Sequence, residues 1–303
     1  MGLIFSYIRS PAPLEDHFYG WGYIIDVLES LLTFKENAPV LDTWADSYHD
    51  DHQLNLLKNN QWVGILHSPP SEARAFNLNR FFSSQVYNDC GNKCILLLTT
   101  SEHSRKYCLS KTSIPVETLL HPKPDTGHYF DLDFYLSQPI LRHSGFFGRN
   151  IEKFIYFNSN IRKVIYCDRP NRSKIYLNSL KNNQSIIFRD GYLQAENYIN
   201  IFTRSIGFSF YDDCSASNAI LEHIMTHTPV LINRIPPIVE YLGEDYPMYL
   251  DNLPKNTDKL LIDRIFLQEV SDYLSTRSKK KEFSVSYFID FLKKLQPTAI
   301  KNK

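Results

Sequence analysis

Apolar runs too short to be helices alternate with stretches of helical periodicity along most of this chain, the pattern of parallel strands joined by helical crossovers. In the first half it predicts strands at residues 3–7, Trp62–Leu66 and 95–99, a further short strand at 119–122, and helices at 22–34 and Glu102–Leu109. In the second half it predicts strands at 140–147, 164–167, 185–188, 206–211 and 229–232, with the clearest helix at 218–227. Near the end, Val285, Phe288, Ile289, Leu292 and Leu295 fall at helical spacing, so 284–295 reads as a docked amphipathic helix. No fixed-period repeat is present, which excludes solenoids and propellers. The fold class that follows is α/β with parallel sheets.

A chain of 303 residues suggests two domains, each large enough to bury its own core. A Pro-, Asp- and aromatic-containing passage at 122–139 is the expected linker, giving domains at 1–137 and 138–270 and a helical segment at 271–303. The net charge of +0 makes no overall case for nucleic acid. It hides an asymmetry: residues 1–137 carry 10 Lys/Arg against 16 Asp/Glu, and the remainder carries 23 against 17. The second half is the better place for an anion, although Arg277, Lys279, Lys280, Lys281, Lys301 and Lys303 read equally well as a solvated charge run.

Five cysteines, with neither a signal peptide nor an apolar run of membrane-spanning length, point to reduced thiols in the cytoplasm. Cys90, Cys94, His103 and Cys108 do not make a convincing zinc set, because C-x3-C lacks knuckle spacing and Cys94 opens a buried-strand pattern.

The chemistry concentrates at 205–233. A buried strand ends in small polar residues, and a helix then opens at Ser217 or Asn218, both good N-cap types. Free N–H groups at such a helix start, beside the carboxyl end of a parallel strand, suit an anion. Glu222 lies one turn further, within reach of ribose hydroxyls. The plainer alternative is a capped helix with Glu222 on its surface.

The runs SASNAILE at 215–222, TPVLIN at 228–233 and VEYLGEDYP at 239–247 resemble the donor-binding half of GT-B glycosyltransferases, most of all the retaining, family-4-like branch. WVGILHSPP at 62–70, LHP at 120–122 and GFFGRN at 145–150 extend the resemblance over about residues 60 to 250. It implies two Rossmann-like domains facing a cleft, with the last helix returning to the first domain. The implied activity is transfer of a sugar from a UDP- or GDP-sugar to a glycan, lipid-linked or protein acceptor, without a cofactor or metal. No nucleic-acid partner is implied, and a peripheral membrane contact is compatible with it.

By position, the resemblance gives Glu222 the donor ribose, Ser217 and Asn218 the diphosphate, Arg149 the leaving diphosphate's charge with Lys153 in support, and His67 the sugar. One departure stands out. The glutamate usual eight residues before the ribose-binding one is Cys214 here, with Asp213 beside it as the candidate substitute. That departure favours, as the alternative, a non-catalytic GT-B-like scaffold that binds a nucleotide or glycan; an epimerase or phosphorylase on the same fold is a further alternative. The segment 42–46 is a candidate acceptor-pocket lining or an ordinary loop around Trp44.

Overall fold

The computed structural model describes residues 3–9, 21–71, 77–145, 148–167, 186–190, 195–254 and 256–300. The chain divides into two compact units. Unit 1 comprises Met1–Pro124, Asp213–Asn218 and Lys280–Lys303; unit 2 comprises Asp125–Asp212 and Ala219–Lys279.

Unit 1 is built on β1 (Leu3–Phe5), β2 (Tyr7–Arg9), β3 (Leu32–Phe34), β4 (Val40–Asp42), β5 (Trp62–Leu66), β6 (Cys94–Thr99) and β7 (Val116–Thr118). β1 pairs with β3, and the main sheet runs β2-β4-β5-β6-β7, every pair parallel. All five residues of β5 are buried, as a strand covered on both faces must be. One face is covered by helix Trp21–Leu31, through Trp21, Ile24, Ile25 and Leu28, and by helix Val285–Ile300, through Phe288, Ile289 and Leu292. Leu54, Leu57, Leu78, Phe81 and Val86 pack with Trp62 and Leu97 in a second core, where the Trp62 indole donates to the Cys90 carbonyl at 2.9 Å.

Unit 2 is built on β8 (Ile140–Ser144), β9 (Arg162–Cys167), β10 (Ile186–Asp190), β11 (Ile206–Ser209) and β12 (Val230–Ile232), in the order β10-β9-β8-β11-β12 and again all parallel. Strands β8, β9 and β10 step one way and β11 and β12 the other, so the order reverses between β8 and β11. Helix Asn218–Met225 packs against β11 at Gly207, where a Cβ would fall on the His223 ring. That ring is locked by Phe202 at 4.4 Å and by the Thr228 carbonyl, 2.8 Å from Nδ1.

Two of the expected strands are corrected, and the expected linker holds a helix. The strand expected at 119–122 lies earlier, at Val116–Thr118, paired to Leu97 through Thr99 before Pro122 is reached. The expected linker contains helix Leu132–Ser137, started by the Asp131 side chain and anchored by buried Tyr135, whose hydroxyl donates to the Leu261 carbonyl at 2.8 Å. The strand predicted at 140–147 ends at Ser144, before Gly145 at φ 69°; Phe146 and Phe147 lie outside the described residues.

Gly207→Ala should overpack this junction and lower stability by about 1–3 kcal/mol in urea unfolding. Unchanged stability would show that the helix does not seat on β11 as described.

Candidate functional site

In open parallel sheets, ligands bind beyond the carboxyl ends of the strands where strand order reverses. In unit 2 that place is the pair β8 and β11. The chain leaves β8 through Gly145 and Gly148, both with positive φ (69° and 78°), a conformation that side chains disfavour. A Cβ on Gly145 would also fall on the Arg149 guanidinium. Glycine there thus lets Arg149 fold back over the strand end. Its backbone bridges Tyr211, and its Nε donates to the Tyr211 hydroxyl at 2.9 Å. Tyr211 is fixed in turn by Asn233, just past β12, whose side chain accepts from the Tyr211 N–H at 2.7 Å and donates to its carbonyl at 2.8 Å.

A second arginine lies deeper. Arg142, in β8, is 2 % exposed; its Nε donates to Ser205 Oγ at 3.0 Å, a terminal nitrogen donates to Ser144 Oγ, and its plane lies over the Phe202 ring at 4.0 Å. The other terminal nitrogen is sealed from solvent with no partner among the described residues. An arginine stays protonated under all ordinary conditions, so this is a buried cation with donor capacity to spare.

Glu222 completes the group from helix Asn218–Met225. It is buried, not the surface residue of the plainer sequence alternative, and its Oε2 accepts from the Tyr198 hydroxyl at 2.5 Å. Burial pushes its carboxyl up to about 7, while the Tyr198 hydrogen bond and the Arg142 and Arg149 charges act against that rise. His143, also on β8, has its Nδ1 3.2 Å from the Phe208 carbonyl; burial, with Arg149 in second place, holds it neutral down to about 3.

The raised Glu222 carboxyl sets a stability trend. The folded chain keeps this proton to about pH 7, against an ordinary value of 4.5, so it binds more protons than the unfolded chain between those limits. Its contribution is fully present below pH 4.5 and is lost as pH rises towards and through 7. Glu222→Gln removes the titration. Urea-unfolding free energies of wild type minus variant should therefore fall by about 3 kcal/mol across that window, and a flat difference would contradict the assignment.

Of the residues picked from sequence, unit 2 holds Arg149, Lys153 and Glu222. Lys153 is exposed on helix Ile151–Ile155, and its ammonium stands over the Phe210 ring at 5.3 Å. His67, Asp213, Ser217 and Asn218 belong to unit 1. The His67 ring sits 4.5 Å from Trp21 and 4.9 Å from Trp44, and its Nε2 donates to the Thr43 carbonyl at 2.9 Å. Asp46 accepts from the His67 and Ser68 N–H groups at 3.0 and 2.6 Å, and burial raises its carboxyl. Asp213 accepts from the Ser71 N–H at 2.9 Å and lies 3.5 Å from His103 Nε2. Beside it Cys214 is buried, and Ser215 is fixed by Thr100 at 2.7 Å and Ser104 at 3.0 Å. Helix Asn218–Met225 begins at Asn218, one of the two starts that the sequence suggested.

Arg142, Tyr198, Tyr211 and Asn233 were not singled out from sequence. The available signal was an Arg-His pair inside an otherwise apolar strand: an arginine placed there must be satisfied by something specific.

No family model matches this sequence, and no curated protein sequence matches it. Solved structures do. TarM of S. aureus aligns with a TM-score of 0.65 at 14% identity over 90% of this chain and 57% of TarM, so the chain spans a little over half of that protein. Anabaena Alr3699/HepE, solved in complex with UDP-glucose, aligns at 0.60 and 10% identity over 97% of this chain and 99% of its own. WaaG, a glycosyltransferase involved in lipopolysaccharide biosynthesis, aligns at 0.57 and 12% identity over 99% of each chain. At such identities the likeness speaks for the fold: an α/β chain with parallel sheets, similar to GT-B glycosyltransferases.

Proposed function

We propose that this protein transfers a sugar from a nucleotide-sugar, with unit 2 holding the nucleoside diphosphate at the β8/β11 switch point. The observation that carries the reading is the convergence of Arg149, Arg142 and Glu222 at that point, two cations and one carboxyl from different elements. A diphosphate needs fixed positive charge and a ribose needs a hydroxyl acceptor, and here both requirements meet. The fold shared with glycosyltransferases supports the reading, as does the UDP-glucose bound by Alr3699/HepE.

In this mechanism the bond between sugar and diphosphate breaks as negative charge grows on the departing oxygens. Arg149, preset by Tyr211 and Gly145, neutralises that charge without having to reorganise. Ser217, Asn218 and Lys153 are assigned to donor binding, and His67 and Asp213 to the sugar, each on the strength of the sequence resemblance. The acceptor is a glycan, lipid-linked or protein hydroxyl, the donor base is uracil or guanine, and the family-4-like branch is the expected relation. No metal or other cofactor is assigned to the reaction.

A non-catalytic nucleotide-binding module is the second reading, and one observation favours it. Cys214, a buried thiol, stands where the resemblance calls for a carboxylate, and neighbouring Asp213 is engaged by Ser71.

A donor-hydrolysis and transfer assay with UDP- and GDP-sugars separates the two. The transfer reading expects turnover, with Arg149→Ala lowering kcat more than it weakens diphosphate binding, because the charge it opposes is largest in the transition state. Asp213→Asn should lower transfer and leave binding of the bare nucleoside diphosphate unchanged. Saturable nucleotide binding with no turnover of any donor would select the non-catalytic module.

A further inference from the structure

Among the described residues Glu222 is held through one oxygen: its Oε2 accepts from the Tyr198 hydroxyl at 2.5 Å, and no further side-chain hydrogen bond reaches Oε1. An ionised carboxylate has about four acceptor positions, so this one retains capacity for a ligand. Tyr198 comes from helix Ala195–Thr203 and is braced there by Phe202, 5.6 Å away between ring centroids, the same ring that lies under Arg142. The two helices thus meet at one carboxyl group, on which Arg142 of β8 acts through its charge.

From this geometry we infer that Tyr198 is the positioning residue of the nucleotide site: it holds Glu222 Oε2 so that Oε1 is the oxygen offered to the ribose hydroxyls. The inference rests on the nucleotide reading above and assigns a role that neither sequence pattern nor fold likeness supplied.

The groups acting on this carboxyl can be named element by element. Tyr198 acts from helix Ala195–Thr203, Arg142 from β8, and Arg149 from the segment after β8. Tyr166 on β9 acts on Arg142. His223, next to Glu222, is turned to the Thr228 carbonyl, and His143 to the Phe208 carbonyl. Burial first, and then Glu222 itself, raises the Tyr198 phenol well above its ordinary value, so it remains a donor across the working range. With Oε2 occupied by that donor, the Glu222 proton resides on Oε1. Ribose hydroxyls bind more strongly once the proton has left, because the ionised Oε1 accepts two charge-assisted hydrogen bonds where the protonated oxygen offers one donor and a weaker acceptor. Nucleotide affinity should therefore rise with pH towards and through about 7 and then level, and loss of the Tyr198 hydroxyl should shift that rise upward.

The test is calorimetric titration of UDP and of GDP from about pH 5.5 to 9 on the wild-type chain, Tyr198→Phe and Glu222→Gln, spanning the Glu222 value of about 7. Tyr198→Phe keeps the ring against Phe202 and removes only the hydroxyl. Expected are a rise in wild-type affinity, a midpoint at least about one unit higher in Tyr198→Phe with roughly tenfold weaker binding at neutral pH, and no such rise in Glu222→Gln. Superimposable curves for wild type and Tyr198→Phe would overturn the inference while leaving the nucleotide site standing. If the wild type binds neither nucleotide at any pH, the nucleotide reading fails and this inference falls with it. Should Tyr198→Phe not fold, site-specific 3-fluorotyrosine at position 198, a stronger donor on the same ring, takes its place: a midpoint lower than that of wild type upholds the inference, and an unchanged midpoint overturns it.

Discussion

The burial of Arg142 is the constraint around which unit 2 is arranged. Moving a guanidinium out of water costs several kcal/mol unless donors and charges compensate it. Here compensation is assembled from separate elements: Ser144 at the end of its own strand, Ser205 before β11, the Phe202 ring from a covering helix, and the field of Glu222 from the next helix. Each partner fixes an element relative to β8, the central strand of the sheet. Packing alone would permit an apolar residue at this position. An arginine with one nitrogen unpartnered among the described residues instead leaves a positive field at the place where a parallel sheet receives its ligand.

Charge and conformation support each other at the same edge. Arg149 folds back into the space that a Cβ on Gly145 would enter, and it meets a Tyr211 whose backbone Asn233 fixes from beyond β12. Helix Asn218–Met225 reaches β11 through Gly207, and this seating buries Glu222. Burial then brings the carboxyl near neutrality, where small changes in its surroundings decide its charge. Unit 1 contrasts with this. Its polar candidates Asp46, His67 and Asp213 are engaged by backbone N–H and carbonyl groups of other loops of the same unit.

Much of the fold was legible in the sequence because its strands are continuous apolar runs. Trp62–Leu66 and Glu102–Leu109 have the expected bounds, and the strands expected at 95–99, 164–167 and 206–211 differ by a few residues. Short elements were less legible. Val40–Asp42 has three residues and no room for a period, and helix Asp51–Asn59 is more polar than apolar, its start set by a capping box at Asp50 and Gln53. At the candidate site, Arg149 and Glu222 were visible through position and resemblance. Arg142 was marked only by the Arg-His pair in its strand, and Tyr198 was hidden in a helix whose partner, Glu222, is 24 residues away. Pairings of that kind are created by the crossover and leave no local pattern in the chain.

On the proposed function, the β8/β11 edge of unit 2 receives a nucleoside diphosphate. Amide hydrogen exchange with and without saturating UDP or GDP tests it most directly, since a ligand seated there protects the amides around it. Protection is expected to concentrate at residues 142–145, 148–150, 209–212 and 219–223. Nucleotide binding that leaves those amides unchanged and protects others would contradict it.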